Sequence, residues 1–338
     1  TTQDASIQAI MDDEYHDPDN FPANSKVGVS WALTVKNADG EMQNYSKEMM
    51  QLYFREDDSS FNLLFDSEQE AQSYIDKYKK HILSEEGVTL VAESCNFTME
   101  PQSSMTIIDQ SNGHVKAIIG GRGEKTASLT LNRATDSARQ PGSTFKILSA
   151  YAPALENGMT LASVYKDEYY TYENGTQVRD WTGSSYLGNI TIRKAIEQSV
   201  NVVAVKVLTE LTPRVGYDLL LDFGFTTLVE RQEINGKIFS DIHQPLALGG
   251  ITHGVTNLEL TAAYATLANG GIYNRPIFYT TVTDSEGKII LENGEDSHRV
   301  VTDSTAYLLT SAMEDVVTKG TGTNLRLGTD MPLAGKTG

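Results

Sequence analysis

A serine and a lysine stand three residues apart where an apolar segment begins. After Ser143 and Lys146, apolar residues such as Ile147 and Leu148 recur at helical spacing. Residues i and i+3 share one face of a helix, so we expect the two polar side chains to lie together. Burial disfavours a charged ammonium and lowers the pKa of a lysine. A neutral Lys146 can therefore take the proton of Ser143 and turn its oxygen into a nucleophile.

The Ser-x-x-Lys spacing is weak evidence by itself. It also occurs at Ser163, near a Tyr-rich polar loop, and at Ser285, in a turn beside a predicted strand. Only Ser143 opens an apolar helix, whose N-terminus supplies partial positive charge. The alternative is a surface Lys146 whose aliphatic stem covers the core, and the pair alone leaves this alternative open.

Two further motifs carry residue types that an acyl transfer needs. Ser199 and Asn201 form a Ser-x-Asn string between two predicted helices, and a Lys-Thr-Gly string occupies 336–338. Ser-x-Asn occurs twice more, but both copies precede the Ser143 segment. Acyl transfer requires a nucleophile with its base, a proton shuttle, a donor to the substrate amide and a cation for its carboxylate. These types are supplied, in that order, by Ser143 with Lys146, Ser199, Asn201 and Lys336.

Each motif has a structural alternative. Ser199 and Asn201 are residue types that cap helices, and Lys336 is also compatible with an exposed lysine on a strand. The string at 335–337 is similar to the end of a phosphate-binding loop, but Asp330 stands where that loop requires glycine. The sequence therefore disfavours a nucleoside triphosphatase. Its six histidines show no metal-ligand spacing.

The length and the net charge of the chain limit the kinds of protein that it can be. The 338 residues suffice for two domains or one large one, and the net charge of −18 repels nucleic-acid phosphates. Cys95 is the only cysteine, which excludes an intrachain disulfide. No signal peptide and no apolar run of about 18 residues is present. We expect either a cytosolic protein or a targeting segment outside this sequence.

The first hundred residues predict a small α+β module without evident chemistry. Alternating residues predict two strands joined by a hairpin turn at 38–40. A helix is predicted over 66–84, with Ser67 and Glu70 as a possible capping box, and a strand over 87–94.

The residues after 100 predict a larger α+β domain. A hairpin turns at 111–113, and a block of helices follows, one of them opened by a capping box of Thr256 and Glu259. The sequence ends in a Gly-rich, strand-like segment. Strands followed by helices favour an α+β fold, with expected domains at 1–100 and 101–338.

The motifs and the strings around them resemble the class A, bifunctional penicillin-binding proteins. "NRATDSARQPGSTFK" is similar to the stretch that carries the family's active serine, and "GNITIRKAIEQSVNVVAVKV" is similar to its Ser-x-Asn region. The three short motifs together are typical of penicillin-binding proteins and β-lactamases. The resemblance implies a linker module over 1–100 and a serine-transpeptidase fold over 101–338. That fold has an antiparallel sheet flanked by helices and an all-helical lobe.

The resemblance assigns roles to seven residues. Ser143 would be the acylated nucleophile, Lys146 its general base and Ser199 a proton relay. The remaining four would bind substrate: Asn201, Lys336, Thr337 and Gly338. The implied reaction is attack on the D-Ala-D-Ala bond of a peptidoglycan stem peptide, followed by transfer of the acyl group to an amine of a neighbouring strand. β-Lactams would acylate Ser143 as substrate mimics, and neither a metal nor an organic cofactor is implied.

The resemblance also implies a setting. We expect a glycosyltransferase domain upstream in the full-length chain, and a location on the extracytoplasmic face of the bacterial membrane, with the anchor outside this sequence. Nucleic acid is not an expected partner. The family continues beyond Lys-Thr-Gly, so we expect a fragment that acylates slowly. Its residues 336–338 should lie on a strand at the edge of the active-site cleft.

Related activities share this fold. A β-lactamase of class A is disfavoured, because no Glu-x-x-Leu-Asn string lies between Asn201 and Lys336. A D,D-carboxypeptidase, which uses water as the acceptor, stays open. So does a binding module, either a β-lactam sensor or an inactive scaffold.

Overall fold

The computed structural model describes residues 1–125, 128–183, 185–294, 296–325, 327–328 and 330–338. They form two compact units. The larger contains Thr1–Gln8, Met105–Gly120 and Asn132–Gly338, and the smaller contains Ala9–Ser104 and Gly121–Leu131. The domain ranges 1–100 and 101–338 stay a prediction, because both units are discontinuous along the chain.

The smaller unit is built on a four-stranded antiparallel sheet. The first helix, α1, is divided between the units after Gln8, and a 3-10 turn at Pro18–Asn20 follows it. The elements are α1 (Ala5–His16), β1 (Lys26–Lys36), β2 (Met42–Ser46), α2 (Lys47–Arg55), β3 (Leu64–Phe65), α3 (Glu68–Leu83) and β4 (Thr89–Glu100). Strand β1 is central: β4 runs along one of its edges, and β2 and β3 share the other. This confirms the predicted strands and helix.

Alternation along β1 creates the core of the smaller unit. Every second residue from Val27 to Val35 is buried, and these side chains pack against the apolar face of α3. Ser67 caps α3 by accepting the N–H of Glu70 at 3.1 Å. The predicted capping box is only half right, because the Glu70 carboxylate accepts the N–H of Asp66 instead of that of Ser67.

The larger unit is a helical core surrounded by short hairpins. Its helices are α4 (Arg133–Asp136), α5 (Ala152–Glu156), α6 (Ile192–Glu197), α7 (Asn201–Leu211), α8 (Pro213–Asp222), α9 (Asn257–Ala268) and α10 (Asp303–Lys319). Its strands are β5 (Met105–Asp109), β6 (His114–Ile119), β7 (Val164–Asp167), β8 (Tyr170–Thr171), β9 (Gln177–Val178), β10 (Gly188–Thr191), β11 (Gln232–Ile234), β12 (Lys237–Phe239), β13 (Ile272–Asn274), β14 (Thr281–Thr283), β15 (Ile289–Glu292) and β16 (Ser297–Arg299). These strands pair two by two and antiparallel. The mixture of helices and antiparallel strands confirms the α+β class.

Two features of the larger unit that the sequence predicted from short-range geometry are present in the structure. The β5–β6 hairpin turns at Gly113, whose φ of +75° suits glycine. Helix α9 begins with the predicted capping box: Thr256 Oγ1 accepts the N–H of Glu259, and the Glu259 carboxylate accepts the N–H of Thr256.

The segment that carries Ser143 is not one regular α-helix. It opens with a 3-10 turn at Gly142–Thr144, widens into a π-helix at Lys146–Tyr151 and ends in α5. Pro153 has no N–H to donate to the carbonyl of Ser149, which interrupts the α-helical hydrogen-bond ladder there. Gly216 of α8 presses against that same carbonyl, where a Cβ would not fit. The segment is therefore held in the middle of the core.

The C-terminal segment corrects one expectation. Lys336, Thr337 and Gly338 are not on a strand: within the described residues, they form no ladder with a neighbouring strand. Side-chain hydrogen bonds hold the segment, among them the one between Thr321 Oγ1 and Thr337 Oγ1 at 2.8 Å. The Gly-rich composition predicted an extended segment, but a strand also requires a paired partner.

A glycine contact fixes the turn in front of Ser143. Gly249 ends the 3-10 helix Gln244–Leu248 with a φ of +73°. A Cβ on Gly249 would lie 2.6 Å from the carbonyl oxygen of Gly142 and 2.7 Å from its nitrogen. Only glycine permits this approach, so the 3-10 helix can brace the Ser143 turn.

The substitution Gly249→Ala tests this contact. Gly236→Ala is the matched control, because Gly236 has a φ of +75° with nothing within 4 Å of its added Cβ. Both variants bear the left-handed penalty of about 1–2 kcal/mol. Overpacking adds about 1–3 kcal/mol at Gly249 alone. We expect Gly249→Ala to lower the melting temperature several degrees further than Gly236→Ala, and equal shifts would contradict a close contact.

Candidate active site

Ser143 lies on a turn whose neighbours are tied down. Thr144 Oγ1 donates to the carbonyl of Pro141 at 2.6 Å, and Tyr264 donates its hydroxyl to the carbonyl of Thr144 at 2.8 Å. Ser143 itself is half-buried, and its Oγ has no hydrogen-bond partner among the described residues. The hydroxyl is therefore free to meet a ligand while its backbone is fixed.

Lys146 is completely buried, with 0% of its surface exposed. Its Nζ donates to the carbonyl of Ser199 at 2.6 Å and to Ser199 Oγ at 3.1 Å. Burial holds the pKa of Lys146 well below its ordinary value, and the nearby charge of Lys336 lowers it further. The alternative of a surface lysine is therefore wrong. By contrast, the lysines of the other two Ser-x-x-Lys strings, Lys166 and Lys288, are exposed.

Ser199 occupies a strained position between α6 and α7. Its φ is +53°, a region that costs a non-glycine residue about 1–2 kcal/mol. Its side chain is 7% exposed, and Lys336 Nζ donates to its Oγ at 2.8 Å. One hydroxyl thus lies between two lysine nitrogens. The contact of Lys146 in this structure is with Ser199, whereas no hydrogen bond joins it to Ser143.

Asn201 is the first residue of α7, next to Val200, the N-cap residue. Its side-chain amide donates to the carbonyl of Arg179 at 2.6 Å. Its backbone N–H donates to Oδ1 of Asp180. Neither Ser199 nor Asn201 caps the helix with its side chain, so that alternative is wrong. The carboxylate of Asp180 occupies the capping position and holds the Ser-x-Asn segment in place.

The Lys-Thr-Gly segment borders the same space. Lys336 Nζ also donates to the Thr337 carbonyl at 2.8 Å, and burial lowers its pKa to about 8. The alternative of an exposed lysine is therefore wrong. A Cβ on Gly338 would lie 3.2 Å from the methyl of Thr144, which puts this glycine beside the turn of Ser143.

An open pocket of 210 Å³ unites the three motifs. Its lining consists of Ser143, Trp181, Ser199, Asn201, Thr321, Thr337 and Gly338. Sequence reasoning missed Trp181 and Thr321. Trp181 is one of two tryptophans in the chain and lies in a polar loop, and Thr321 lies in the Gly-rich string at 320–322. Those two features are the only signals that could have found them.

Two negative findings concern the described part of the chain. There, no group of three or more His, Cys, Asp or Glu side chains has the arrangement of a metal site. Nor does any of the described helices combine the length and apolar character needed to cross a bilayer.

Comparison with known proteins places this geometry in a family. Residues 103–338 match the penicillin-binding protein transpeptidase domain. Penicillin-binding protein 1A of Streptococcus pneumoniae is 32% identical over 97% of the chain, and the chain covers 44% of that relative. The chain spans half or less of the curated relatives that it matches. Such relatives confirm the resemblance to class A proteins.

Solved structures share the fold. The D,D-transpeptidase domain of a peptidoglycan glycosyltransferase from Eggerthella lenta has a TM-score of 0.58 at 18% identity, covering 94% of this chain and 87% of that one. A Mycobacterium tuberculosis protein in complex with penicillin V has a TM-score of 0.55 at 24% identity, covering 64% and 58%. Motifs, geometry and relatives agree that this chain belongs to the penicillin-binding transpeptidase family.

Proposed function

We propose that the chain is a serine D,D-transpeptidase that cross-links peptidoglycan stem peptides ending in D-Ala-D-Ala, and that β-lactams acylate it. One observation carries the proposal. A buried, weakly basic Lys146 and the hydroxyl of Ser199 form a hydrogen-bonded pair beside the pocket that Ser143 lines. Such a pair can pass a proton from one group to the next. Acyl transfer requires this, because a proton must move from the nucleophile to the leaving amine.

In the acylation step, Ser143 Oγ attacks the carbonyl carbon of the penultimate D-Ala. Neutral Lys146 accepts the proton of Ser143. The proton then passes through Ser199 Oγ, 3.1 Å from Lys146 Nζ, to the nitrogen of the leaving D-Ala. The missing hydrogen bond between Ser143 and Lys146 does not oppose this role, because catalytic hydrogen bonds often tighten only when substrate binds.

Substrate binding falls to the other lining residues and to Lys336, whose Nζ donates to the lining residues Ser199 and Thr337. Lys336 and the hydroxyls of Thr337 and Thr321 offer a cation and two donors for the terminal carboxylate. The Asn201 side chain offers an amide for the peptide backbone of the substrate. Gly338 packs closely against the Ser143 turn, beside which the scissile carbonyl would lie.

The proposal includes the domain composition and the cellular location of the full-length protein. The chain covers 44% of a penicillin-binding protein 1A, and a matched structure is described as part of a peptidoglycan glycosyltransferase. We infer that the full-length protein carries a glycosyltransferase domain upstream and works on the extracytoplasmic face of the bacterial membrane. Its acceptor is an amine of a second stem peptide.

Covalent labelling tests the nucleophile. Fluorescent penicillin should add one adduct, mapped by peptide mass spectrometry to Ser143, and Ser143→Ala should abolish it. Ser163→Ala is the matched control, because Ser163 has the same Ser-x-x-Lys spacing beside an exposed lysine. An adduct at Ser163 or Ser285 would refute the assignment.

The base is tested by Lys146→Arg and Lys146→Met. Arginine keeps its proton at neutral pH, and methionine offers no base in a similar volume. Both should slow acylation by about 10²–10⁴, the usual contribution of a general base. Lys166→Arg, at the exposed lysine of another Ser-x-x-Lys string, should leave the rate unchanged. Wild-type acylation by a folded Lys146→Met chain would exclude this role.

The pH profile of acylation by benzylpenicillin separates the two lysines. The acylation rate should rise with pH as Lys146 loses its proton. This rise should occur at a pH well below the pKa of an ordinary lysine. Lys336 carries its positive charge below its pKa of about 8, so carboxylate binding should weaken as pH rises through that value. Lys336→Arg stays charged and should remove the falling limb. A falling limb that is unaltered in this variant would show that another group is responsible.

A further inference from the structure

Residues 179–181 hold the Ser-x-Asn segment from one side, and we call them the clamp. Each member makes one hydrogen bond to that segment: the carbonyl of Arg179 accepts the side-chain amide of Asn201 at 2.6 Å, Asp180 Oδ1 accepts the backbone N–H of Asn201, and the indole N–H of Trp181 donates to the carbonyl of Gln198 at 2.8 Å. Ser199, whose left-handed backbone has to be held in place, lies between the contacted residues.

Asp167, the last residue of β7, contacts the central member of the clamp. Asp167 and Asp180 are only 2% and 7% exposed, and their carboxyl groups are hydrogen-bonded to each other. Asp167 Oδ2 also accepts the N–H of Leu187 at 2.6 Å, just before β10 pairs with β7. A chain of hydrogen bonds therefore runs from the N–H of Asn201 through both carboxyl groups to the β7–β10 hairpin.

The contact between the two carboxyl groups requires a proton. An ionised carboxylate only accepts hydrogen bonds, so one of the two groups must be protonated in order to donate. The remaining oxygens, Asp167 Oδ1 and Asp180 Oδ2, are buried, and no N–H or hydroxyl of a described residue donates to them. Burial raises the pKa of Asp180, and the neighbouring carboxyl of Asp167 also raises it. We therefore expect the pair to hold one proton and one negative charge.

A shared proton also limits the negative charge near the proposed base. Lys146 and the buried phenol of Tyr151 both interact with the charge of Asp180. Two ionised carboxylates beside Lys146 would favour its ammonium form, whereas the proposed reaction requires the neutral amine. With one proton between them, the two aspartates keep their hydrogen bonds to both loops and carry one charge instead of two.

We propose that Asp180 and Asp167 are one positioning unit, in which a proton held between their carboxyl groups ties the clamp to the β7–β10 hairpin and fixes the Ser-x-Asn segment in the pocket. This inference rests on the proposed function, because the unit acts on the reaction through Ser199 and Asn201. The competing explanation is that Asp180 alone caps α7, and it gives Asp167 no part in the reaction.

Alanine and asparagine substitutions at the two positions test the unit. Asp167→Ala and Asp180→Ala break the bridge and should each slow acylation by fluorescent penicillin about tenfold to hundredfold, because small displacements of catalytic groups have effects of this size. Asp167→Asn and Asp180→Asn should stay within about threefold of the wild-type rate, because a carboxamide donates to the remaining carboxylate without an added proton. The double alanine variant should be no slower than the slower single variant, since both lose the same bridge.

Asp109→Ala is the matched control. Asp109 also accepts a loop N–H, that of Ser111 at 3.1 Å, but it belongs to the β5–β6 hairpin and not to the clamp. This variant should lower the melting temperature and leave the acylation rate of the folded protein unchanged. A purely structural role for Asp167 and Asp180 predicts the same result for their alanine variants.

The shared proton has a spectroscopic test that does not require an alanine variant to fold. ¹³C NMR of aspartate labelled at Cγ, assigned with Asp180→Asn, should show Asp180 still protonated at pH values above the ordinary aspartate pKa of 3.8. Asp167→Asn should lower the pKa of Asp180, because a carboxamide donor favours the ionised form and the neighbouring charge is gone.

Each outcome decides between the explanations. Wild-type acylation rates in the folded alanine variants overturn this inference and leave the proposed function standing. So do asparagine variants that are as slow as the alanine variants, or an Asp180 that titrates as an ordinary aspartate. A wild-type chain that penicillin does not label overturns the proposed function and this inference with it.

Discussion

The burial of a single ammonium nitrogen is the constraint on which this site depends. Lys146 has no contact with water, and its hydrogen bonds go to the carbonyl and hydroxyl of Ser199. An unpaired charge in such a place is strongly unfavourable, so the side chain prefers its neutral form. A neutral amine is a base, and the role proposed for Lys146 is to accept the proton of Ser143, which lines the adjoining pocket.

The fold maintains this burial by packing rather than by charge pairing. The π-helical turn that carries Lys146 is surrounded by other helices, and two glycines permit the necessary close approaches. Gly216 lets α8 press on the segment, and Gly249 braces the turn in front of Ser143. The left-handed backbone of Ser199 is then tolerated, because its carbonyl and hydroxyl both have lysine partners.

The sequence was sufficient for features with a short-range physical cause. The Thr256 capping box and the Gly113 turn were predicted for this reason, whereas the apolar neighbours of Lys146 suggested its burial but left a surface lysine open as the alternative. The strand expected at 336–338 was wrong, because a strand depends on a distant partner. The apolar spacing of the Ser143 segment predicted a helix but gave no sign of its widening into a π-helix at Lys146–Tyr151. Trp181, Thr321 and Asp180 lie outside the motifs, and only the folded chain reveals their places in the site.

The protonation state of Lys146 tests this account most directly. The measurement is the pKa of Lys146 in the folded, unligated chain, followed by NMR of lysine labelled with ¹³C at Cε and assigned with Lys146→Arg. We expect a resonance that titrates well below the ordinary lysine value of 10.5, with the amine neutral over much of the range in which acylation occurs. A resonance that titrates at the ordinary value would show a charged lysine at the centre of the site and would contradict the account.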